Sequence, residues 1–148
     1  MKILVLCCIL LLLAGCTISE RMDEYAHEVE LVLIRWVARQ LGLGWGTLEH
    51  RIGPVIADLW FPAYRLAVEV DLGTEDRPHL RKKLQRYRTI SEVSWLIFVT
   101  TGTQERVDFA VSVSRGGPAR CIGAQWQDLN SAYNLAYREK LDKRRKIM

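Results

Sequence analysis

The run Leu66-Ala67-Val68-Glu69-Val70-Asp71-Leu72 restricts the fold more than any other stretch, because it is apolar enough to be buried yet carries two acids. A buried carboxylate with no partner is strongly destabilising, so something must meet each charge. Residues two apart in a strand point to one face. Glu69 and Asp71 therefore share a face, and Leu66, Val68, Val70 and Leu72 share the other. An acid pair at a strand end is a site for a divalent cation or for a basic group.

The flanking chain shows what surrounds that strand. Residues 45–50, 55–61 and 65–71 are three short strand-like runs, with Pro62-Ala63 as the turn between the last two. Their short connections predict an antiparallel meander. Asp58 interrupts the second run as Glu69 interrupts the third, and pairing through the Pro62-Ala63 turn brings the two close, at nearly equal offsets from it. Two neighbouring carboxylates repel unless a cation or a proton joins them. A metal is the economical explanation.

Residues 76–92 read as a helix, with Asp76 as N-cap, Pro78 in the first turn and Leu80, Leu84, Tyr87 and Ile90 down one face. The opposite face is basic, with Arg77, Arg81, Lys82, Arg86 and Arg88, while Lys83 lies beside the apolar stripe where it can reach back to the strand acids. The apolar run 94–101 reads as a strand covered on both faces. A strand, a helix and a buried strand form a crossover, so this fourth strand is expected parallel to the third. Residues 104–114 form a short helix ended by Arg115-Gly116-Gly117-Pro118, and 121–126 an edge strand. Asp128 caps a final helix over 128–141, which runs into the basic Lys143-Arg144-Arg145-Lys146. That tail suits the negative end of a helix and a phosphate contact, or is simply solvated.

Upstream, residues 19–40 carry Met22, Tyr25, Val29, Leu33, Trp36 and Val37 at helical steps. Ser19 can cap that helix, and Gly42 and Gly44 can end it. Before it, the uncharged run from Ile3 to Ala14 is too short to span a bilayer but has the proportions of a secretory h-region. Leu13-Ala14-Gly15-Cys16 resembles the bacterial lipobox, and that resemblance implies cleavage after residue 15 and a lipidated, membrane-anchored Cys16. Without processing, the chain is expected in the cytoplasm. Of the four cysteines, only Cys121 then remains in the body, as a small apolar residue rather than half of a disulfide.

A chain of 148 residues, 49% hydrophobic and 26% charged, is one globular domain behind that leader, over residues 16–148. Its net charge of +4 favours an anionic partner or a solvated basic surface.

The order helix, three-strand meander, helix, strand resembles the core of the PD-(D/E)xK nucleases, the restriction-endonuclease-like fold. The resemblance implies an α/β domain with a mixed sheet in which an Asp and a following Glu hold Mg²⁺ and a lysine serves the phosphate. More narrowly, Val68-Glu69-Val70-Asp71-Leu72-Gly73-Thr74-Glu75 with Lys83-Leu84-Gln85-Arg86-Tyr87 resembles the replication-relaxation family of plasmid-borne proteins, with its E-x-D-x-G-T-E strand end and K-L-x-x-Y helix. Trp45 and Glu49 match that family's W-x-x-x-E, and Ala57-Asp58 stands at its Pro-Asp. The likeness covers about residues 45–101.

It implies Asp58 and Glu69 as metal ligands, with Glu28 or Glu49 completing the acid set. Glu69, Asp71 and Lys83 would be the catalytic group, Lys83 replacing the usual lysine whose place Asp71 takes. Arg81, Lys82 and Arg86 would hold the DNA backbone.

Each residue also has a plainer role. Asp58 and Glu69 fit an ion-pair network with Arg65 or Lys83, Asp71 fits turn amides after Leu72, Glu75 fits a helix-dipole partner, and Lys83 fits a snorkelling lysine. His27, His50 and His79 share no ligand spacing. The functional expectation is a DNA-processing protein capable of Mg²⁺-dependent nicking. Its alternatives are an inactive membrane-tethered binding or assembly module and a truncated remnant whose leader mimics a lipobox.

Overall fold

The computed structural model describes residues 18–129, so the leader with Cys16 and the final helix with its basic tail lie outside the described residues. The chain divides into two bodies at Val32–Leu33. Helix α1 (Ile18–Leu41) begins at the first described residue, so Ser19 lies inside it rather than at its boundary. In the first body Glu28 is exposed, and His27 Nδ1 lies 3.9 Å from the Glu30 carboxylate one turn on. No described helix is long and apolar enough to cross a membrane.

The second body begins with the last turns of α1, which end as the sequence indicates. Gly42 takes a left-handed φ of 64°, and its N–H donates to the Ala38 carbonyl at 3.3 Å. Five strands follow: β1 (Thr47–Ile52), β2 (Val55–Phe61), β3 (Leu66–Asp71), β4 (Trp95–Thr100) and β5 (Arg120–Gln125). They form one mixed sheet in chain order, with β1, β2 and β3 antiparallel and β3, β4 and β5 parallel. Helices α2 (Arg77–Tyr87) and α3 (Gln104–Ser114) make the two crossovers. The fold is thus α/β with a mixed sheet, as the alternation of meander and crossover requires.

Both helices cover the same face. Leu80, Leu84 and Tyr87 of α2 and Ala110 of α3 share a buried cluster with Trp60, Ala67, Leu96 and Phe98 of the sheet. By alternation Leu66, Val68, Val70, Ile97 and Val99 point to the other face, and none is more than 3% exposed. Ile34, Val37 and Leu41 of α1 are buried outside the first cluster, and Trp36 meets Trp126 edge-on at 5.6 Å. Covering on both sides explains why β3 and β4 are nearly continuous apolar runs. Helix α3 lies so close to β5 that a Cβ on Gly123 would come within 2.6 Å of Val107 Cγ1.

Three of the boundaries that differ from the sequence reading have a local cause. β1 starts after Trp45 and runs through Ile52, because Gly53, at φ 54°, makes a two-residue turn with Pro54 that closes the hairpin at Ile52–Val55. α2 ends at Tyr87, five residues early, where Arg88, Thr89 and Ile90 donate to carbonyls three residues back and tighten the chain into a turn.

Arg65 explains the third boundary, since it sits at φ 50° outside β3 and binds the loop that follows α2. Its carbonyl accepts the N–H groups of Ser94 and Trp95 at 2.8 and 3.1 Å. Its guanidinium donates to the carbonyls of Glu92, at 2.9 Å, and Ser91.

Candidate functional site

The register puts three acids at one level of the sheet. β1 pairs with β2 at Leu48–Leu59 and His50–Ala57, and β2 pairs with β3 at Leu59–Val68. Continuing that register sets Glu49 opposite Asp58 and Asp58 opposite Glu69, yet neither pair is bridged. The ladder opens there for two local reasons. Glu49 is held at a left-handed φ of 46°, a conformation that costs a non-glycine residue about 1–3 kcal/mol. Asp58 turns its side chain across to β3, where Oδ2 accepts the Val70 N–H at 2.6 Å in place of a backbone carbonyl.

Helix α2 supplies the answering groups. Lys83 and Tyr87 are four apart and so reach the sheet from one side of the helix. Tyr87 donates its hydroxyl proton to Glu69 Oε1, and Lys83 Nζ lies 2.5 Å from Oε2. Glu69 is 2% exposed, and its Oε2, although ion-paired, lacks a directed hydrogen bond among the described residues.

Burial raises the Asp58 carboxyl, opposed by Lys83 and the Val70 amide. Burial and then the Asp58 charge push Glu69 up to about 8, against Lys83 and Tyr87. Burial alone would lower the Lys83 ammonium, but Glu69 and Asp58 outweigh it and raise it. With both carboxyls ionised, the trio carries one surplus negative charge that a proton or a cation neutralises.

Asp71 stands apart from this trio. Arg106 of α3 grips it as a fork, Nε to Oδ2 at 2.6 Å and a terminal nitrogen to Oδ1 at 2.7 Å. Thr100 Oγ1 donates to Oδ2 at 2.6 Å and the Gly73 N–H at 3.1 Å, the turn amide expected after Leu72. The Arg106 fork also reaches the Glu75 carbonyl at 2.6 Å. Sequence reasoning missed Arg106. Its signal was an arginine beside the buried Val107 in a helix that follows a buried acid.

The predicted backbone contacts spread over the exposed side of α2. At 100° per residue, Lys82 lies on the outer face midway between Arg81 and Lys83, Arg86 falls on the flank of Lys83, and Arg81 on the flank toward α3. There Arg81 and Arg77 both lie over the Phe109 ring at 5.4 Å, and Arg77 pairs with Glu105 at 2.5 Å. Arg77, Arg81, Lys82 and Gln85 border a surface depression of about 270 Å³.

The donor set suits Mg²⁺, which keeps most of its waters and takes one or two carboxylates from a protein. Asp58 and Glu69 are the two that could serve, and the Glu69 oxygen without a directed hydrogen bond now faces the Lys83 ammonium. Among the described residues no group of three acids, histidines or cysteines is close enough to hold an ion, and the charge of Glu49 adds to the upward shift of the Asp58 carboxyl. The chain matches no protein-family model, no curated protein and no solved structure.

Proposed function

We propose that the chain is a DNA-processing protein of the restriction-endonuclease-like kind, related to replication-relaxation and mobilisation proteins, whose Asp58 and Glu69 hold Mg²⁺ beside Lys83. The observation that carries this reading is the row Glu49, Asp58, Glu69 at the level where the sheet ladder opens, faced by a half-buried lysine. Neighbouring carboxylates repel, so such a row stabilises the sheet only when a cation or a proton joins it. A divalent cation bound there supplies positive charge to a phosphodiester and lowers the pKa of water.

The protein's groups divide the remaining work. Tyr87 orients Glu69 through Oε1. Lys83, half-buried beside Glu69, would be the ammonium that faces the phosphate. Arg86, on the same flank of α2, and Lys82, on its outer face, neutralise neighbouring phosphates. Asp71 holds the end of β3 against α3 through Arg106 and takes no part in the reaction. At the N-terminus, lipidation of Cys16 tethers the domain to a membrane, which palmitate labelling of the parent and of Cys16→Ser checks.

A second reading is favoured by one contact, the Lys83 ammonium 2.5 Å from Glu69. There the lysine is a permanent counter-ion, and the domain is an inactive binding or assembly module. Incubating the full-length chain with supercoiled plasmid and Mg²⁺ or Mn²⁺, beside Glu69→Ala, separates the two. Nicking that requires both metal and Glu69 establishes the first reading. No nicking by a folded parent, with thermal stability indifferent to either metal, establishes the second.

A further inference from the structure

At the β1–β2 hairpin lies a cavity of about 620 Å³ bordered by His50, Arg51, Trp60, Arg65 and Glu92. That volume is within the usual range for small-molecule sites, about 300–1,000 Å³. Two features distinguish it from an ordinary surface hollow.

The first is an aromatic platform that strand alternation alone does not produce. With Thr47 paired to Trp60, His50 should point away from the Trp60 ring. The left-handed Glu49 intervenes, and His50 instead lies parallel to Trp60, with centroids 6.3 Å apart and planes 4° from each other. Trp60 is 9% exposed, so the surface offered to a ligand is the half-buried imidazole resting on it.

The second is an excess of positive charge, two arginines against the one carboxylate of Glu92. Arg65 is fixed by the neutral carbonyls of Ser91 and Glu92, with no carboxylate in ion-pair range among the described residues. Arg51 is exposed and has no side-chain partner among them. A rigid guanidinium and a free one beside a flat ring are the groups that receive a phosphate next to a base. Glu92 is the acid of the wall and suits a ring or amino N–H donor of a base, such as the N3–H of thymine.

We propose that this cavity takes an unpaired nucleotide of a DNA strand, with its phosphate between Arg51 and Arg65 and its base on His50. The proposal rests on the nucleic-acid reading above and adds to it a preference for single strands. In a duplex each base face is covered by its neighbours and cannot meet His50.

The test is fluorescence anisotropy of the full-length chain with a labelled oligothymidylate and with a duplex of equal length, thymidine monophosphate serving as competitor. Parent, His50→Ala, Arg51→Ala and Lys82→Ala are compared. His50→Ala should weaken oligothymidylate binding about tenfold and leave the duplex unchanged. Arg51→Ala should reduce the slope of log affinity against log salt by about 0.7 for the single strand. The Arg51 side chain is exposed and has no side-chain partner among the described residues, so its variant decides the matter even if His50→Ala is unstable.

Cavity variants that bind like the parent, while Lys82→Ala weakens both DNAs, would overturn the cavity and leave the previous reading standing. Monophosphate bound as tightly as the oligonucleotide would reassign the cavity to free nucleotides. A parent that binds no DNA would overturn both proposals.

Discussion

Glu69 and Asp71 stand two residues apart on one face of β3, both buried, and meet opposite environments. Asp71 accepts four hydrogen bonds, two of them from one arginine fork. Glu69 accepts a directed bond on one oxygen, meets an ammonium at the other and faces the Asp58 charge. A carboxylate saturated by fixed donors is structural. One held by a tyrosine and a movable lysine, next to a like charge, retains capacity for a cation. The difference comes from what passes overhead: α3 delivers Arg106 to the end of the strand, and α2 delivers Lys83 and Tyr87 one pleat earlier.

The sharpest way to break this contrast is Arg106→Ala. It leaves Asp71 buried without its counter-charge and should lower the unfolding free energy, measured in urea, by about 3 kcal/mol. A loss no larger than that of an exposed pair would remove Asp71 from the structural side.

Tyr87→Phe comes next. It deletes the donor to Glu69 Oε1 and should cost about 2 kcal/mol. Its packing is conserved, so a neutral result would mean that the hydroxyl bond contributes nothing.

Glu69→Gln should change stability by less than about 1 kcal/mol near neutrality, since the amide keeps the shape and ends the repulsion with Asp58. Its main effect is on pH dependence. Glu69 moves from an ordinary 4.5 to about 8 on folding, so between those values the native state holds a proton that the unfolded chain has released. Parent stability therefore falls as pH rises through that window, with Asp58 acting in the same direction, and the variant's profile should be flatter. Thermal melts from pH 5 to 9 check the sign. Under the metal reading, Mn²⁺ restores stability to the parent at the upper end and not to the variant.

The smallest effect belongs to Lys82→Ala. It should leave stability within about 0.5 kcal/mol of the parent and lower the salt slope of duplex binding by about 0.9. Arg81→Ala, which removes a guanidinium that lies over the Phe109 ring, should change that slope less.

Much of the frame was legible. Asp76 caps α2 by accepting the His79 N–H at 2.8 Å, Pro78 stands in its first turn, and β4 lies parallel to β3. These features depend on local stereochemistry and on the covering of both sheet faces, which leave marks in a few consecutive residues. The nearness of Asp58 to Glu69 was legible too, from equal offsets about a turn. The left-handed Glu49 left no mark, because the residue carries none of the usual preference for that conformation. Nor did Arg106, which lies 35 residues from the acid it binds.

The sequence by itself determined the element types, the crossover and the requirement that every acid in β3 be met, because hydrophobic periodicity and the cost of buried charge act along the chain. Only the tertiary structure decided which cation meets which acid. It set Arg106 on Asp71, Lys83 on Glu69, and Arg65 on neutral carbonyls beside an empty-handed Arg51. Those pairings follow from where two helices land on a sheet, and electrostatic partners are chosen by distance in space rather than by separation in sequence.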